Sequence, residues 1–527
     1  MYPQMTEDLK LFVEPGASLL LTRVGHFLTE QGIKSYLIGG FVRDILLGRD
    51  TADIDIAVAA DALEVAPKVA TALGGKYVRL DEVNRVGRVV LDNGDTSTRG
   101  KRELDFSTLK GSIEQDLAQR DFTIDAMAID LGQVVSHPLT LSPSEERELS
   151  KEGKVLIRLP MLIDPFKGWD DLHQGVLRVV TEAAFPSDAA RLLRAVRLAA
   201  ELGFSIDRET ENLIRRYSHL IASVAGERVR EELLQLLAMP RAGRLLSYLD
   251  ELGLLTAMVP ELAQAKGVEQ PRVHFWNVFD HSIQTVAAVD FLLGQGTWEY
   301  AGEEVLDAVP WSAVPSQHFD QEVSSGSTRG SLLKLAALLH DIAKPQTKAI
   351  DEGGRMRFLG HAKEGATIVV SILERLRFSS KEIKLVEIMV RHHLRPTQMS
   401  QDELPSRRAI YRYFRDTGEA GIDMLFLSLA DHLATRGQHI DLAQWQEHAQ
   451  MVEYVLARHF EEEGLAVPPK LIDGHDLINI FGLKPGPEMG EILEAVREAQ
   501  AAGELSNRQE ALAYIERLLT SPLPKDK

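Results

Sequence analysis

The chain has 527 residues, 44% of them apolar and 26% charged, which is an ordinary globular composition, and its length predicts roughly three or four domains. A formal net charge of −19 argues against broad, non-specific nucleic-acid binding, although a local basic surface can still hold an RNA. The absence of cysteine excludes disulfides and thiolate metal sites. Because the sequence also shows neither a long apolar run nor the pattern of a signal peptide, we expect a cytoplasmic protein with no membrane partner.

The first predicted elements lead to a glycine turn. A helix at about residues 16–31 precedes a short apolar strand, and Gly39 and Gly40 follow that strand. Glycine can adopt positive φ and lets a ligand approach the backbone closely. Amide groups at the start of the next predicted helix, 41–47, form a phosphate cradle, to which Arg43 adds a cationic fork.

Two aspartates, Asp53 and Asp55, lie on the next predicted strand. Residues two apart on a strand share one face, so both carboxylates face one way while Ile54 and Ile56 face the core. Two adjacent carboxylates are what a pair of Mg²⁺ ions needs in phosphoryl or nucleotidyl transfer. The strand therefore predicts a catalytic magnesium site.

The run GGFVRDILLG followed by DIDIA resembles the active site of the nucleotidyltransferase superfamily, in its class II branch of tRNA nucleotidyltransferases and bacterial poly(A) polymerases. Beyond it we predict a helix at 62–73 and strands at 86–91 and 103–109, with a polar loop at 92–102 between the strands. In the family an acidic residue stands at the place of Asp105, on the second of these strands. The resemblance therefore implies that Asp105 is a third catalytic carboxylate.

A second motif, QRDFTIDAMA at 119–128, is similar to the family's box that binds the ribose and triphosphate. The resemblance implies nucleotide contacts from Arg120 and Asp121, and from Asp125, which stands where the family usually has Asn. From the residues alone, the segment is also an ordinary helix N-terminus with an acidic first turn. Residues 139–162 are predicted to be a surface insertion, to which we assign no function.

The following block, FPSDAARLLRAVRLAAELGF, resembles the part of the family that selects the base. Ser187 is predicted to cap a helix that has Asp188 in its first turn, and Asp188 and Arg191 share a helix face. From spacing alone, a surface ion pair would be favoured. In class II enzymes the matching pair reads the Watson–Crick edge of the incoming base, so the resemblance implies that role here, with Arg194 and Arg197 as further nucleotide contacts.

Two further segments are candidates for RNA contact. Arg228 and Arg230 lie in ERVREEL, which looks like the family's neck element and implies contacts with RNA phosphates. The basic helix at 406–415 either helps to hold tRNA or is a solvated face. From about residue 444 to 527 the chain is predicted to be helical and acidic, and it is similar to the tail that reaches towards the tRNA in many bacterial tRNA nucleotidyltransferases.

A second metal-ligand pattern lies between the neck and the tail. Five histidines and two aspartates fall at the landmarks of an HD-type phosphohydrolase domain, and a neighbouring His-Asp pair in a buried helix suits a divalent metal such as Ni²⁺, Mn²⁺ or Co²⁺. Lys344 follows on the same helix and is a candidate phosphate contact, and residues 294–330 are predicted to be a loop of low order. The predicted ligands are His281, His340, Asp341 and Asp431, with His361, His392 and His393 as further candidates.

The predicted fold is an α+β head with a small mixed sheet (1–163), followed by an all-α neck (164–250), HD domain (251–445) and tail (446–527). The resemblance implies an enzyme that adds CCA, or part of it, to the 3′ end of tRNA from CTP and ATP with Mg²⁺. DNA is not an expected partner, and the sequence predicts no oligomeric state.

Two alternatives stay open. A poly(A) polymerase of the same family should have a basic tail and lack the HD ligands, whereas this tail is acidic and the ligands are present. An HD phosphohydrolase with a non-catalytic, RNA-binding head should have a broken Asp-x-Asp pair, whereas Asp53 and Asp55 are intact.

Overall fold

The computed structural model describes residues 9–13, 15–49, 51, 53–91, 102–134, 155–159, 162–314, 317–399, 404–464 and 470–520. These residues form two compact units that divide between Ser223 and Val224, inside the predicted neck. None of the described helices is long and apolar enough to cross a membrane. Of the predicted loop at 92–102 only Arg102 is described, and of the predicted insertion at 139–162 only residues 155–159 and 162 are described.

The first unit contains a six-stranded mixed sheet. Its strands and those of two smaller pairs are β1 (Leu9–Val13), β2 (Ser35–Ile38), β3 (Asp53–Val58), β4 (Lys76–Asp81), β5 (Val86–Leu91), β6 (Arg102–Thr108), β7 (Ala128–Asp130), β8 (Val155–Leu159), β9 (Val176–Leu177) and β10 (Ser205–Ile206). The main sheet has the order β4-β5-β6-β3-β2-β7. In it β3 and β6 are parallel, and the other neighbours are antiparallel.

Helices accompany this sheet and make up the rest of the first unit. They are α1 (Pro15–Glu30), α2 (Gly39–Leu46), α3 (Ala62–Leu73), α4 (Ile113–Leu117), α5 (Gly168–Gln174), α6 (Ala184–Ser187), α7 (Arg191–Leu202) and α8 (Arg208–Tyr217). The bounds of α3 match the prediction, because Asp61 accepts a hydrogen bond from Leu63 N at 3.0 Å at one end and Gly74, at φ +73°, ends the helix at the other. The predicted α+β head is confirmed.

Strand β3 carries the alternation that the sequence predicts. Ile54 and Ile56 are buried in the core, while Asp53 is exposed and Asp55 is half-buried on the other face. The parallel register pairs Asp55 with Asp105 of β6. The sheet therefore carries the predicted catalytic carboxylates on two adjacent strands.

The second unit is helical, with two short hairpins. Its elements are α9 (Gly226–Ala238), α10 (Ala242–Glu251), α11 (Leu254–Met258), α12 (Val278–Leu292), α13 (Glu303–Leu306), β11 (Glu322–Ser324), β12 (Ser327–Thr328), α14 (Arg329–Leu339), α15 (Lys344–Thr347), β13 (Lys348–Ile350), β14 (Met356–Phe358), α16 (His361–Arg375), α17 (Ser380–His392), α18 (Arg395–Met399), α19 (Arg407–Thr417), α20 (Gly421–Arg436), α21 (Leu442–Gly464), α22 (Gly474–Phe481), α23 (Pro487–Ala501) and α24 (Arg508–Thr520). Helices α12, α14 and α20 pack against one another and are buried on most sides. They form the centre of this unit.

The segment 294–330 differs from its prediction as a loop of low order. Its described part contains α13 and the β11–β12 hairpin, and Trp298 and Phe319 are buried. Trp298 Nε1 donates to Gln284 Oε1 of α12 at 3.0 Å, and buried His318 lies 3.2 Å from Asp423 Oδ1 of α20. The aromatic rings of this polar segment pack on the central helices, and that packing orders the segment.

The C-terminal helices have a core of their own, which we call the tail bundle (470–520). Among the described residues this core is made by buried side chains of the tail alone, from Ile472 to Ile515. Helix α19, the predicted basic helix, faces the tail bundle. Its arginines pair with tail acids, for example Arg412 with Glu498 at 2.7 Å and Arg408 with Glu504 at 2.8 Å. Helix α19 therefore mainly packs against the tail bundle, whereas its sequence predicted either a tRNA contact or a solvated face.

Candidate functional site

The aspartate pair of β3 lies in a crowded acidic environment. Burial raises the pKa of Asp55 to about 6; Arg120 opposes this rise, and the carboxylates of Asp105, Asp125 and Asp53 add to it. A carboxyl group with these neighbours favours a bound cation, since a cation offsets the repulsion between like charges. Hard oxygen donors of this kind suit Mg²⁺.

Gly39 is the point at which three of the predicted segments meet. Its φ is +68°, and a Cβ built on it would lie 2.6 Å from Arg120 Nη1 and 3.2 Å from Asp55 Oδ2. The backbone conformation therefore favours glycine, and a larger residue would displace the guanidinium of Arg120. Gly40 has no positive φ, and a Cβ there would lie an ordinary 3.4 Å from Arg43 Nη2. The glycine turn, Asp55 and Arg120 are thus in direct contact, and α2 begins at Gly39 itself, two residues earlier than predicted.

Asp105 has a partner that the sequence analysis missed. Arg88 lies opposite Asp105 on β5 and donates from Nε to Oδ1 at 2.7 Å and from Nη2 to Oδ2 at 2.8 Å. The register of β5 against β6 creates this fork, and register between distant strands is not readable from local sequence. In the described part of the chain, three ligand atoms do not converge at Asp53, Asp55 and Asp105. Arg88 holds Asp105 beside the aspartate pair.

Arg43 does not form the predicted open fork. It is 7% exposed; Nη1 donates to Asp125 Oδ1 at 2.7 Å, and Nε and Nη2 donate to Asp44 at 2.8 and 3.0 Å. The buried carboxylate of Asp125 offsets the charge of this guanidinium, which an Asn could not do. Arg43 therefore ties the glycine turn to the 119–128 segment, and Arg120 is the cation that faces Asp55.

The 119–128 segment is connected to helix α7. Arg194 Nε lies 2.8 Å from Asp121 Oδ2, and its Nη2 lies 3.8 Å from Asp125 Oδ2. The segment itself forms a 3₁₀ turn, Thr123–Asp125, followed by β7, and so it is not an ordinary helix start. The structure brings the predicted nucleotide box and the predicted base-selecting helix together.

The start of α7 differs in detail from its prediction. Ser187 is the last residue of α6, and α7 begins after Ala190 without a side-chain cap; Asp188 accepts a hydrogen bond from Ala190 N at 3.2 Å in the turn before it. Arg191 donates from Nη2 to the Gln119 carbonyl at 3.0 Å, which holds it against the nucleotide box. Arg197 instead pairs with Glu201 at 2.8 Å along its own helix.

The two predicted RNA-binding arginines have different surroundings. Arg228 is exposed. Arg230 donates from Nη2 to Glu382 Oε1 at 2.6 Å and to the Ser325 carbonyl at 3.0 Å, and the Glu382 side chain is fully buried. Arg230 is therefore a structural partner of a buried acid, and its contact with RNA stays a prediction.

The second candidate site is a buried cluster of imidazoles and carboxylates at the centre of the second unit. His281 Nε2 lies 3.3 Å from His340 Nε2, 3.6 Å from Asp341 Oδ2 and 3.0 Å from Asp431 Oδ1. Atoms that bind one metal at about 2.1 Å are about 3.0 Å apart in an octahedral site and about 3.4 Å apart in a tetrahedral one. Three of the four principal predicted ligands, His281, His340 and Asp341, therefore converge with the spacing of a metal site, and Asp431 lies beside the two imidazoles.

Two of the further candidates also belong to this cluster. His361 Nε2 lies 3.3 Å from His393 Nε2, and the two nitrogens lie 3.4 and 3.7 Å from Asp341 Oδ1. His392 does not take part: it is half-buried, and it is absent from the groups of converging ligand atoms among the described residues. His393 belongs to the cluster and His392 does not, because the two residues lie on different faces of the helix at the end of α17.

Backbone contacts set the tautomers of three of these imidazoles. The Nδ1 atoms of His340, His361 and His393 lie 2.6–2.8 Å from main-chain carbonyl oxygens three residues earlier. A nitrogen at that distance from a carbonyl oxygen carries the proton and donates it, which leaves Nε2 as a lone-pair donor. Such contacts orient metal-ligating histidines in proteins.

Electrostatics in the cluster favour an ionised aspartate, and although burial opposes it, Asp341 and Asp431 raise the pKa of neighbouring His340. Burial opposes ionisation, but His340 and Lys344 hold the pKa of Asp341 well below its usual range. Burial lowers the pKa of His393 to about 3. Lys344 Nζ lies 2.5 Å from Asp341 Oδ2 and 2.6 Å from Gln270 Oε1, so it lies at the cluster as predicted.

Comparison with known proteins identifies the family. A model of the Poly A polymerase head domain matches residues 35–178, one of the RNA- and SrmB-binding site of polymerase A matches 203–266, and one of tRNA nucleotidyltransferase domain 2 matches 358–515. The chain is 34% identical to the CC-adding tRNA nucleotidyltransferase of Thermus thermophilus, over 91% of this chain and 93% of that protein. The chain belongs to the tRNA nucleotidyltransferase family. Another family member, the A-adding tRNA nucleotidyltransferase of Deinococcus radiodurans, is 33% identical over 91% of this chain and 94% of its own length.

Solved structures show the same fold as this tRNA nucleotidyltransferase. A CCA-adding enzyme solved with ATP aligns with a TM-score of 0.61 at 22% identity, over 98% of this chain and 97% of that one. The Thermotoga maritima CCA-adding enzyme solved with tRNA aligns with a TM-score of 0.58, also at 22% identity, over 96% of both chains. These likenesses establish the α+β head and the helical remainder.

Proposed function

We propose that the first unit transfers nucleotides to the 3′ end of tRNA, so that the chain adds CCA, CC or A. The observation that carries this proposal is the meeting of Gly39, Asp55 and Arg120 at one point. A turn that cradles phosphate, a metal-binding carboxylate and a cation are the parts that nucleotidyl transfer needs. Relatives that cover nine-tenths of the chain are CC-adding and A-adding tRNA nucleotidyltransferases, which supports tRNA as acceptor and CTP or ATP as donor.

The residues at the site fit Mg²⁺, because hard carboxylate oxygens share one strand face, and burial, together with the neighbouring carboxylates, raises the pKa of Asp55. Asp53 and Asp55 would hold the metal, and Arg88 would keep Asp105 oriented beside them. Bound Mg²⁺ lowers the pKa of the attacking hydroxyl and stabilises the charge on the departing pyrophosphate.

The surrounding residues orient the two substrates. Arg120 and the amides of the Gly39 turn would hold the triphosphate with its α-phosphorus in line with the tRNA 3′-hydroxyl. Asp188 and Arg191 would read the base through its Watson–Crick edge, since carboxylate and guanidinium together supply acceptors and donors. The contact of Arg191 with the nucleotide box supports this placement.

The test is nucleotide incorporation into tRNA that lacks A, CA or CCA, with CTP and ATP supplied separately. We expect one of these ends to be extended by wild type and none by Asp53→Ala or Asp55→Ala, with tRNA binding and the circular dichroism spectrum unchanged. Incorporation above a tenth of wild type in either variant would contradict the metal assignment. Long A tails on any RNA would indicate a poly(A) polymerase, and no incorporation by wild type would indicate a non-catalytic head.

We propose as a second function that the cluster in the second unit is a metal-dependent phosphohydrolase site. The supporting observation is the convergence of buried imidazoles and carboxylates, which would be costly to bury without a partner. Their imidazole and carboxylate donors fit a transition metal, which would activate a water for attack on phosphorus. Lys344 would contact the substrate phosphate. The substrates are phosphoesters near the tRNA end, such as a 2′,3′-cyclic phosphate, a 2′-nucleotide or a small phosphomonoester.

This second activity should be separable from the first. The measurement is hydrolysis of 2′,3′-cAMP with added Ni²⁺, Mn²⁺, Co²⁺ or Mg²⁺. We expect the double variant His340→Ala with Asp341→Ala to lose hydrolysis while nucleotide addition persists. Wild-type protein that binds no metal and cleaves none of these substrates would show that the cluster has a structural role only.

A further inference from the structure

We propose that Arg88 keeps Asp105 from binding the catalytic cation until a nucleotide is bound. This inference rests on the nucleotidyl-transfer function proposed above for the first unit. Asp105 lies directly opposite Asp55 in the parallel register of β3 and β6, which is a suitable position for a metal ligand. Its hydrogen bonds, however, go to Arg88. Arg88 is therefore a positioning residue, because it acts on the cation through Asp105.

The acids of β6 and Arg88 lie on the same face of the sheet as the aspartate pair. Asp53 lies in register with Glu103, and Asp55 lies in register with Asp105. On the other side of β6, Arg88 of β5 lies opposite Asp105. Residues that lie opposite each other in neighbouring strands point to one face. Arg88 is therefore a cation beside carboxylates that would otherwise be available to a metal.

The contact of Arg88 with Asp105, which we call the Arg88 fork, engages both carboxylate oxygens. Nε donates to Oδ1 at 2.7 Å, and Nη2 donates to Oδ2 at 2.8 Å. Two parallel bonds of this kind fix the orientation of a carboxylate. Among the described residues, Asp53, Asp55 and Asp105 do not bring three ligand atoms within 4.8 Å of one another. In the orientation that the fork imposes, Asp105 adds no third oxygen to one ion.

Arg88 has a second partner, which allows the fork to open. It also forms an ion pair with Glu103 through Nη1. The side chains of Arg88, Glu103 and Asp105 are 30%, 29% and 23% exposed, so they can reorient without repacking of the core. When Asp105 leaves the fork, Glu103 still offsets the charge of the guanidinium, and no unpaired cation remains beside the sheet.

A bound nucleotide supplies the reason for opening. Mg²⁺ in enzymes is usually bound by one or two carboxylates together with substrate phosphates. Asp53 and Asp55 are two such carboxylates, and the triphosphate adds further oxygens. Asp105 is then attracted by the ion that the nucleotide brings, and this attraction competes with Arg88. A free divalent ion should therefore bind weakly to the resting site, and an ion that enters with the nucleotide should bind tightly.

The experiment measures Mn²⁺ binding to the full-length chain by electron paramagnetic resonance, without nucleotide. His340→Ala with Asp341→Ala in every sample removes the cluster in the second unit from the count. Glu103→Gln is the matched control, because Glu103 also pairs with Arg88. We expect Asp105→Asn and Glu103→Gln to weaken Mn²⁺ binding to within about threefold of each other. Arg88→Met should tighten binding about tenfold, and in that background Asp105→Asn should weaken it about tenfold more than Glu103→Gln does.

Two further measurements distinguish the fork from a merely structural contact. Asp105→Asn should lower kcat for nucleotide addition far more than Glu103→Gln, although the two free proteins bind Mn²⁺ alike. Arg88→Lys keeps the charge but lacks the two-bond fork, so it should tighten Mn²⁺ binding in the same direction as Arg88→Met, by a smaller factor. If Arg88→Met does not fold by circular dichroism, the same comparison of Asp105→Asn with Glu103→Gln is made in Arg88→Lys.

The outcomes separate this inference from the function on which it rests. With Arg88 in place, weaker Mn²⁺ binding by Asp105→Asn than by Glu103→Gln would overturn the inference, because Asp105 would already be a ligand. Unchanged binding in Arg88→Met, or a gain there with none in Arg88→Lys, would overturn the fork. Equal kcat values for Asp105→Asn and Glu103→Gln would overturn its opening. Wild-type protein that extends no tRNA end would overturn the function alone, while the expected Mn²⁺ pattern would still support the fork.

Discussion

Replacing Gly39 with alanine tests the geometry of the first unit most directly. The new Cβ would lie 2.6 Å from Arg120 Nη1, a distance that real Cβ atoms do not tolerate, so Arg120 or the turn must move. Gly40 provides a matched control, because it is the next residue, has no positive φ and leaves 3.4 Å to the nearest side-chain atom.

The expected size of the effect follows from these contacts. An alanine at φ +68° costs about 1–2 kcal/mol of stability, since the left-handed region brings Cβ too close to the following carbonyl. A displacement of about 1 Å in a positioning group can lower the rate about 10²-fold, which corresponds to about 2.7 kcal/mol in the barrier. We expect Gly39→Ala to lose activity much more than stability.

The measurements are kcat/KM for nucleotide incorporation and urea unfolding of the same preparations. Gly40→Ala should stay within threefold of wild type in kcat/KM and unfold at the same urea concentration. If Gly39→Ala and Gly40→Ala behave alike, Gly39 is only a turn residue and the meeting of the three segments has no catalytic meaning. A loss of activity explained entirely by unfolding would refute the reasoning in the same way.

Three further predictions concern other parts of the chain. Asp188→Ala or Arg191→Ala should reduce discrimination among CTP, ATP, UTP and GTP by about 1–3 kcal/mol, because a hydrogen-bonding group is left unpaired; unchanged kcat/KM ratios would mean that the pair is structural. Arg230→Ala should destabilise the chain by about 2–3 kcal/mol because its buried glutamate loses a charged partner, whereas Arg228→Ala, at an exposed residue, should shift the urea midpoint less; a stable Arg230→Ala protein with weakened tRNA binding would support the predicted RNA contact instead. Although burial opposes it, two arginines of α19 depress the pKa of Glu498, so its contribution to docking of the tail bundle is present above the unfolded pKa and is lost as the pH falls through the lower folded pKa. Hydrogen exchange of α23 measured at pH 7 and below pH 4 checks this, and equal protection at both would contradict it.

The sequence predicts the local structure of the site well. The alternation on β3 places Asp53 and Asp55 on one face because a strand has a period of two, and this holds wherever one face is buried. The bounds of α3 follow from its cap and its terminal glycine. Histidines and aspartates spaced along separate helices were expected to converge because no apolar core keeps so many polar groups without a partner.

The partners of charged residues were less predictable. The local sequence does not distinguish Arg43 and Arg230 from Arg120. In the structure, however, Arg43 donates to Asp125 and Arg230 to Glu382, and both acids are distant in sequence. Whether an arginine faces a ligand or a buried acid is decided by which element packs against it. The fork of Arg88 on its partner in β6 was missed for the same reason.

The contact between α19 and the tail bundle has consequences for how the chain responds to its surroundings. It includes four ion pairs between part-exposed side chains, among them Arg408 with Glu504 and Arg415 with both Glu494 and Glu498, while the apolar core of the bundle is its own. Attraction between charges reaches about 8 Å at physiological ionic strength but only about 3 Å at 1 M salt, whereas apolar packing does not weaken in this way. Concentrated salt should therefore weaken the attachment of the bundle more than the bundle's own core, and hydrogen exchange across the α19 contact should speed up with salt before exchange inside the bundle does. The strength with which the tail bundle is attached to α19 should therefore depend on ionic strength.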